Sequence, residues 1–134
     1  MDNTGQCLCG SASYSISSEP VLVGVCHCKD CQRFTGSAFS FLVAVVEEDL
    51  KIEGEVKTFS KPGDSGQLIE RVFCPYCGSS LLEVAATRPG LVLLNGGTLD
   101  SSEKLTPSMQ IYCDRELHWA KLSDIQRFPE APPK

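Results

Sequence analysis

Eight cysteines lie in 134 residues, and seven of them fall into three tight groups: Cys7 and Cys9, then Cys26, Cys28 and Cys31, then Cys74 and Cys77. Only Cys113 stands alone. Thiols spaced this closely serve either a disulfide framework or a metal. Disulfide-dense chains are typically small, secreted and short of core. This chain is 42% hydrophobic, long enough for one domain with a core of its own, and its Met-Asp-Asn-Thr-Gly-Gln start lacks the pattern of a secretory leader. Metal ligation in a reducing compartment is therefore expected, with a cytoplasmic location.

Zinc takes four tetrahedral ligands at about 2.3 Å for thiolate, so neighbouring sulfurs lie about 3.8 Å apart. In extended chain Cys7 and Cys9 point to one face and converge on one ion. Cys74-Pro75-Tyr76-Cys77-Gly78 is a knuckle, with Gly78 free to take the left-handed conformation that closes it. Each pair supplies two ligands, so the four together make a closed site, and closed sites are structural. Cys-Pro-Tyr-Cys is also a glutaredoxin-type redox motif, but that chemistry needs a long helix after the motif. Here Gly-Ser-Ser-Leu-Leu-Glu-Val-Ala follows and runs as a strand.

The middle group, Cys26-His27-Cys28-Lys29-Asp30-Cys31, offers three thiols. Three protein ligands leave the fourth position open, as a catalytic zinc requires. With three thiolates the centre carries a net −1 charge, which suits the exchange of an incoming thiolate better than the making of hydroxide. His27, between two ligands, points away from the ion, toward the surface or toward a hydrogen bond that steadies a ligand. Cys113 shares a strand face with Ile111 and reads as a small core residue, its alternative being a fourth ligand for this group.

Period-2 alternation dominates the rest. Ala12, Tyr14 and Ile16 share one face of a half-buried strand, and Phe39 to Val45 makes a longer one. Further strands are expected at Val21–Val25, Leu50–Glu53, Val56–Phe59, Leu68–Phe73, Ser80–Val84, Leu91–Leu94 and Met109–Asp114. Phe39, Phe41, Phe59 and Phe73 are assigned to the core. Helical signal is limited to Asp30–Phe34 and Trp119–Ile125, and Lys61–Gly66 reads as a mobile loop. The expectation is a mainly β, single-domain antiparallel fold stitched by metal, with one or two short helices. It spans residues 1–128, and residues 129–134 form a flexible Pro-rich tail. Twelve basic against seventeen acidic residues give −5 with no basic stripe, which argues against nucleic acid. The longest apolar run, Phe39–Val46, is too short to span a membrane.

The ordered motifs resemble one family. Gly5-Gln6-Cys7-Leu8-Cys9-Gly10, the run from Cys26-His27-Cys28 through Arg33, Thr35 and Gly36 to Phe39, then Arg71 to Ser79, Gly97-Thr98-Leu99-Asp100 and Trp119 are similar to the glutathione-dependent formaldehyde-activating family. The resemblance implies a β-rich, tent-like fold with two zinc ions per chain. One is structural, on Cys7, Cys9, Cys74 and Cys77; a second, more labile one sits on Cys26, Cys28 and Cys31. It implies condensation of formaldehyde with glutathione, formally carbon–sulfur lyase chemistry. A departure lies at Gln110-Ile111-Tyr112-Cys113, where the family often has His-Ile-Phe-Val. The expected mechanism places a small thiol such as glutathione at the three-cysteine zinc, for addition to or release from a small aldehyde. Arg33, Thr35 and Gly36 are expected to line the substrate pocket, with Arg33 on a substrate carboxylate. The rival functions are a zinc-stabilised scaffold and a zinc-based thiol sensor.

Overall fold

A computed structural model describes residues 3–133. Eleven strands and one helix run in the order β1 (Asn3–Gln6), β2 (Ser13–Ile16), β3 (Leu22–Cys26), α1 (Lys29–Thr35), β4 (Ser40–Val46), β5 (Leu50–Glu53), β6 (Lys57–Pro62), β7 (Leu68–Phe73), β8 (Ser80–Ala85), β9 (Leu91–Asn95), β10 (Met109–Ile111) and β11 (Gln126–Arg127), with three short 3-10 turns between them. They form a three-stranded sheet, β1-β2-β5, and an eight-stranded sheet, β11-β10-β3-β4-β9-β8-β7-β6. The mainly β expectation holds. The sheet is mixed, though: β10 runs parallel to both β3 and β11, a pairing that needs a long crossover and leaves no local signature in sequence.

Alternation decides what faces inward. Tyr14 and Ile16 of β2 are buried while Ser13 and Ser15 are half-exposed. They meet Val43, Val45, Leu82, Val92 and Leu94 from one face of the large sheet, and these residues form the main core. The Gly97–Asp100 motif fastens β1 over this core. Asp100 donates its amide to Thr4 O at 2.9 Å, Thr4 Oγ1 donates to Asp100 at 2.6 Å, and the hydroxyls of Tyr14 and Thr98 meet at 2.6 Å.

Several expectations need correction. No helix forms over Trp119–Ile125. The carbonyls of Leu122 and Ile125 instead accept from the Gln110 side-chain amide at 2.7 and 3.1 Å, and Asp124 sits at φ 68°. The strand expected to reach Asp114 stops at Ile111, because Tyr112 turns the chain at φ 53°. Phe59 is 58% exposed, since it lies on the edge strand β6, which carries no covering layer. Lys61 and Pro62 belong to the β6–β7 hairpin, leaving only its tip as a turn. Where the tail begins, Tyr112 and Asp114 donate their amides to Glu130 O and Pro129 O at 3.0 and 3.2 Å. Among the described residues no helix is long and apolar enough to cross a membrane.

His27 is fully buried, which removes the surface alternative for it. Its Nε2 lies 2.9 Å from Gln110 Oε1. Because Gln110 Nε2 is occupied by the two carbonyls, its oxygen must accept, so His27 Nε2 carries the proton. Leucine at Gln110 is expected to strip partners from buried His27 Nε2 and from two partly buried carbonyls at once. The loss should be about 3 kcal/mol in urea unfolding, at roughly 1–3 kcal/mol per orphaned group.

Candidate metal centres

All eight cysteines are free thiols, and seven assemble into two clusters. Cys7, Cys9, Cys74 and Cys77 come together from the turn after β1 and the knuckle after β7. Cys7 and Cys9 sit in a tight turn, with Gly10 N donating to Cys7 O at 3.2 Å, rather than in extended chain. Their sulfurs still converge: Cys7 to Cys9 is 3.6 Å and Cys9 to Cys74 is 3.8 Å. These distances match the edge of a thiolate tetrahedron, about 3.8 Å, and are far beyond a disulfide bond of about 2.05 Å. Gly78 closes the knuckle at φ 78°, its amide on Cys74 O at 2.9 Å.

Around these sulfurs the backbone presents donors. The amides of Tyr76 and Cys77 lie 3.4 and 3.5 Å from Cys74 Sγ, and Ala12 N lies 3.4 Å from Cys7 Sγ. The Ser79 hydroxyl, 3.2 Å away, leads in lowering the Cys77 pKa to about 5. Amide and hydroxyl donors favour thiolate over thiol, so this donor set fits a thiophilic cation. After Cys77 the chain turns into β8, not a helix, which removes the glutaredoxin alternative.

The second cluster is built where β3 meets α1. Cys26 ends β3, Cys28 caps α1 and Cys31 lies in its first turn. Cys28 Sγ accepts from Cys31 N at 3.3 Å, as an N-cap side chain does. Of the three thiols Cys28 ionises first. Hydrogen bonding from Cys26, then from Cys31, holds it down to about 2, with the Cys31 amide and the Arg71 charge assisting. Cys26 and Cys31 are correspondingly pushed up, Cys26 chiefly by Cys28 and Cys31 chiefly by Cys26. A cation bound among the three would favour their thiolate forms.

One side of this triad opens into a cavity of about 560 Å³ lined by the three cysteines together with Arg71, Glu83, Tyr112 and Arg115. Arg71 and Glu83 face each other across β7 and β8 and form an ion pair, Nε to Oε1 3.4 Å, with both side chains 5% exposed. Glu83 Oε1 lies 3.8 Å from Cys31 Sγ, and burial raises the Glu83 pKa against the pull of Arg71. Arg115 pairs with Asp64 and stacks on the Tyr112 ring at 5.1 Å. The sequence signal for this pair was a single charge at an inward position in each of two strand runs.

Arg33, Thr35 and Gly36 do not line the cavity. Arg33 is exposed on α1. Thr35 Oγ1 donates to Cys31 O at 2.7 Å, and Gly36 ends the helix at φ 66° with its amide on Gln32 O at 2.8 Å. Thr35 and Gly36 therefore shape the end of the helix that carries Cys31. Trp119 is 70% exposed and covers neither core nor cavity. Cys113 is buried, as a core residue should be, and stands beside His27 and Glu116, apart from the triad. Gln110, where the sequence departs from the resemblance, anchors His27 between Cys26 and Cys28.

Fold and sites together define a mainly β protein with one closed and one open cysteine cluster, each able to hold a metal ion. The sequence model of the glutathione-dependent formaldehyde-activating enzyme matches residues 2–115, and the chain belongs to that family. It is 23% identical over 110 residues, 82% of this chain and 77% of the relative, to a Schizosaccharomyces pombe protein named as an uncharacterized lyase. A crystal structure of a Rhodobacter sphaeroides protein shares the fold, with TM-score 0.58 and 19% identity over 78% of this chain and 91% of that one.

Proposed function

We propose that the protein is a zinc-dependent carbon–sulfur lyase-type enzyme that takes a small thiol at Cys26, Cys28 and Cys31. It adds that thiol to a small aldehyde such as formaldehyde, or releases it from the adduct. The observation that supports this reading is the contrast between the clusters. Four sulfurs enclose one, whereas three sulfurs border a cavity at the other. Cys7, Cys9, Cys74 and Cys77 would hold a structural zinc and the triad a second, whose charge would favour the thiolate form of an incoming thiol.

The chemistry balances without a further reactant. The substrate sulfur bonds to the carbonyl carbon as the C=O π pair moves to oxygen. That oxygen takes up the proton the thiol gave up, leaving an S-hydroxymethyl adduct; the lyase direction is the reverse. The chain's own part is to position the reactants. Cys28 caps α1 and so fixes the triad, while the Arg71–Glu83 pair lies beside Cys31. Glu83, paired with Arg71 and 3.8 Å from Cys31 Sγ, is a carboxylate beside the triad. Arg71 and Arg115, with Lys29 and Arg88, line the cavity in place of Arg33.

A native mass spectrum that counts zinc with and without added glutathione tests this reading. Two zinc ions are expected, one of them lost or carrying a thiol on titration. Two ions indifferent to glutathione, to cysteamine and to alkyl thiols would remove the thiol-binding function and favour a scaffold.

A further inference from the structure

Strand alternation gives the large sheet two faces. One feeds the core. The other carries Leu22 and Cys26 on β3, Leu42 and Ala44 on β4, and Leu91 and Leu93 on β9, and it is the wall of the cavity that ends at the triad. A sheet face turned to solvent is ordinarily polar. This one is aliphatic, and Leu22 remains 40% exposed.

At the triad end Arg71 pairs with Glu83 and Arg115 with Asp64. Two further cations line the cavity outside these pairs. Lys29 is exposed at the start of α1, and Arg88 lies in the β8–β9 turn. A charged tripeptide thiol would bring two carboxylates and an ammonium onto an aliphatic wall, where unpaired polar groups are costly.

We propose that the thiol received at the triad carries an apolar body, alkyl or aryl, lying along β3 and β4 away from Cys26. The preferred substrate is then an apolar thiol, or its adduct with a small aldehyde, in place of a charged peptide thiol. The inference rests on the thiol-binding reading given above and names its substrate class. From Cys26 to Leu22 the wall runs four residues, about 13 Å at ~3.3 Å per residue, room for a chain of several carbons. The cavity volume is that of an ordinary small-molecule site, roughly 300–1,000 Å³.

The test is a chain-length series of ethanethiol, butanethiol and hexanethiol, with glutathione alongside. Affinity is measured by calorimetry on the zinc-loaded protein, and metal–sulfur ligation by absorption of the cobalt-substituted protein. Each added methylene is expected to tighten binding about fourfold, and hexanethiol should exceed glutathione by at least about tenfold. Gly24 lies between Leu22 and Cys26 on the same wall, and a Cβ there meets only Met109, at 3.5 Å. Gly24→Val should therefore fill the trough and flatten the length dependence. Leu93→Asn, which adds no bulk, should weaken hexanethiol about tenfold if burial against this wall is the source of affinity.

A cobalt spectrum that responds to thiols, with affinity flat along the series or greatest for glutathione, overturns the apolar-body proposal and leaves the thiol reading standing. A cobalt spectrum silent to every thiol overturns both. A dimer that hexanethiol dissociates without moving the cobalt bands would place a second copy on this face, and would likewise overturn the proposal.

Discussion

Alanine at Cys77 is expected to yield a chain that does not reach the native state. The four sulfurs of that site join the turn after β1 to the knuckle after β7. They do so in a region where Cys7 and Cys74 are among the most deeply buried side chains. Three remaining thiols would hold the ion poorly, and a structural zinc of this kind is coupled to folding by about 10 kcal/mol or more. That is comparable with the whole stability of a domain, about 5–15 kcal/mol. Circular dichroism should show loss of the cooperative thermal transition, and purified protein should be scarce and low in zinc. A variant that melts cooperatively at the wild-type temperature with one zinc fewer would show that the closed site is not structural.

Alanine at Cys28 should do the reverse. Cys28 is half-buried at the start of a seven-residue helix, and losing its side chain removes one N-cap contact, worth about 1 kcal/mol. The fold should therefore survive with a slightly lower melting temperature. Zinc content should fall from two ions to one, and aldehyde–thiol condensation above the uncatalysed background should drop by at least about a hundredfold. A drop of that size corresponds to roughly 2.7 kcal/mol of transition-state stabilisation. Collapse of the fold, or retention of two ions, would reassign the triad to a structural role. The two variants form a pair, since the same substitution at two cysteines is expected to separate folding from chemistry.

Much of this architecture was legible in the sequence because metal spacing and strand alternation are local signals. The grouping of Cys7 and Cys9 with Cys74 and Cys77 followed from each pair being incomplete alone. The buried row Ala12, Tyr14 and Ile16 followed from period 2. The features that escaped are those set by distant partners. Nothing near Met109 announces that β10 lies parallel to β3. Nothing near Trp119 shows that the Gln110 amide will take the carbonyls a helix would have used. Residues that follow the triad in sequence were natural suggestions for the pocket, yet the helix geometry turns Arg33 outward. Arg71 and Glu83, 40 and 52 positions beyond Cys31, arrive instead through the β7–β8 register.

The closed cluster also has a consequence for how the chain is made. Cys9 and Cys74 are 65 residues apart yet 3.8 Å from one another in the folded protein. An ion there acts as a removable cross-link that shuts a long polymer loop. Closing such a loop costs entropy that grows only logarithmically with its length, but contacts of this separation form late and slowly. During synthesis the first cysteine pair must wait, unliganded, until the second pair has left the ribosome. With a metal ion bound there, the step at which the two pairs join would depend on metal supply as well as on the chain itself.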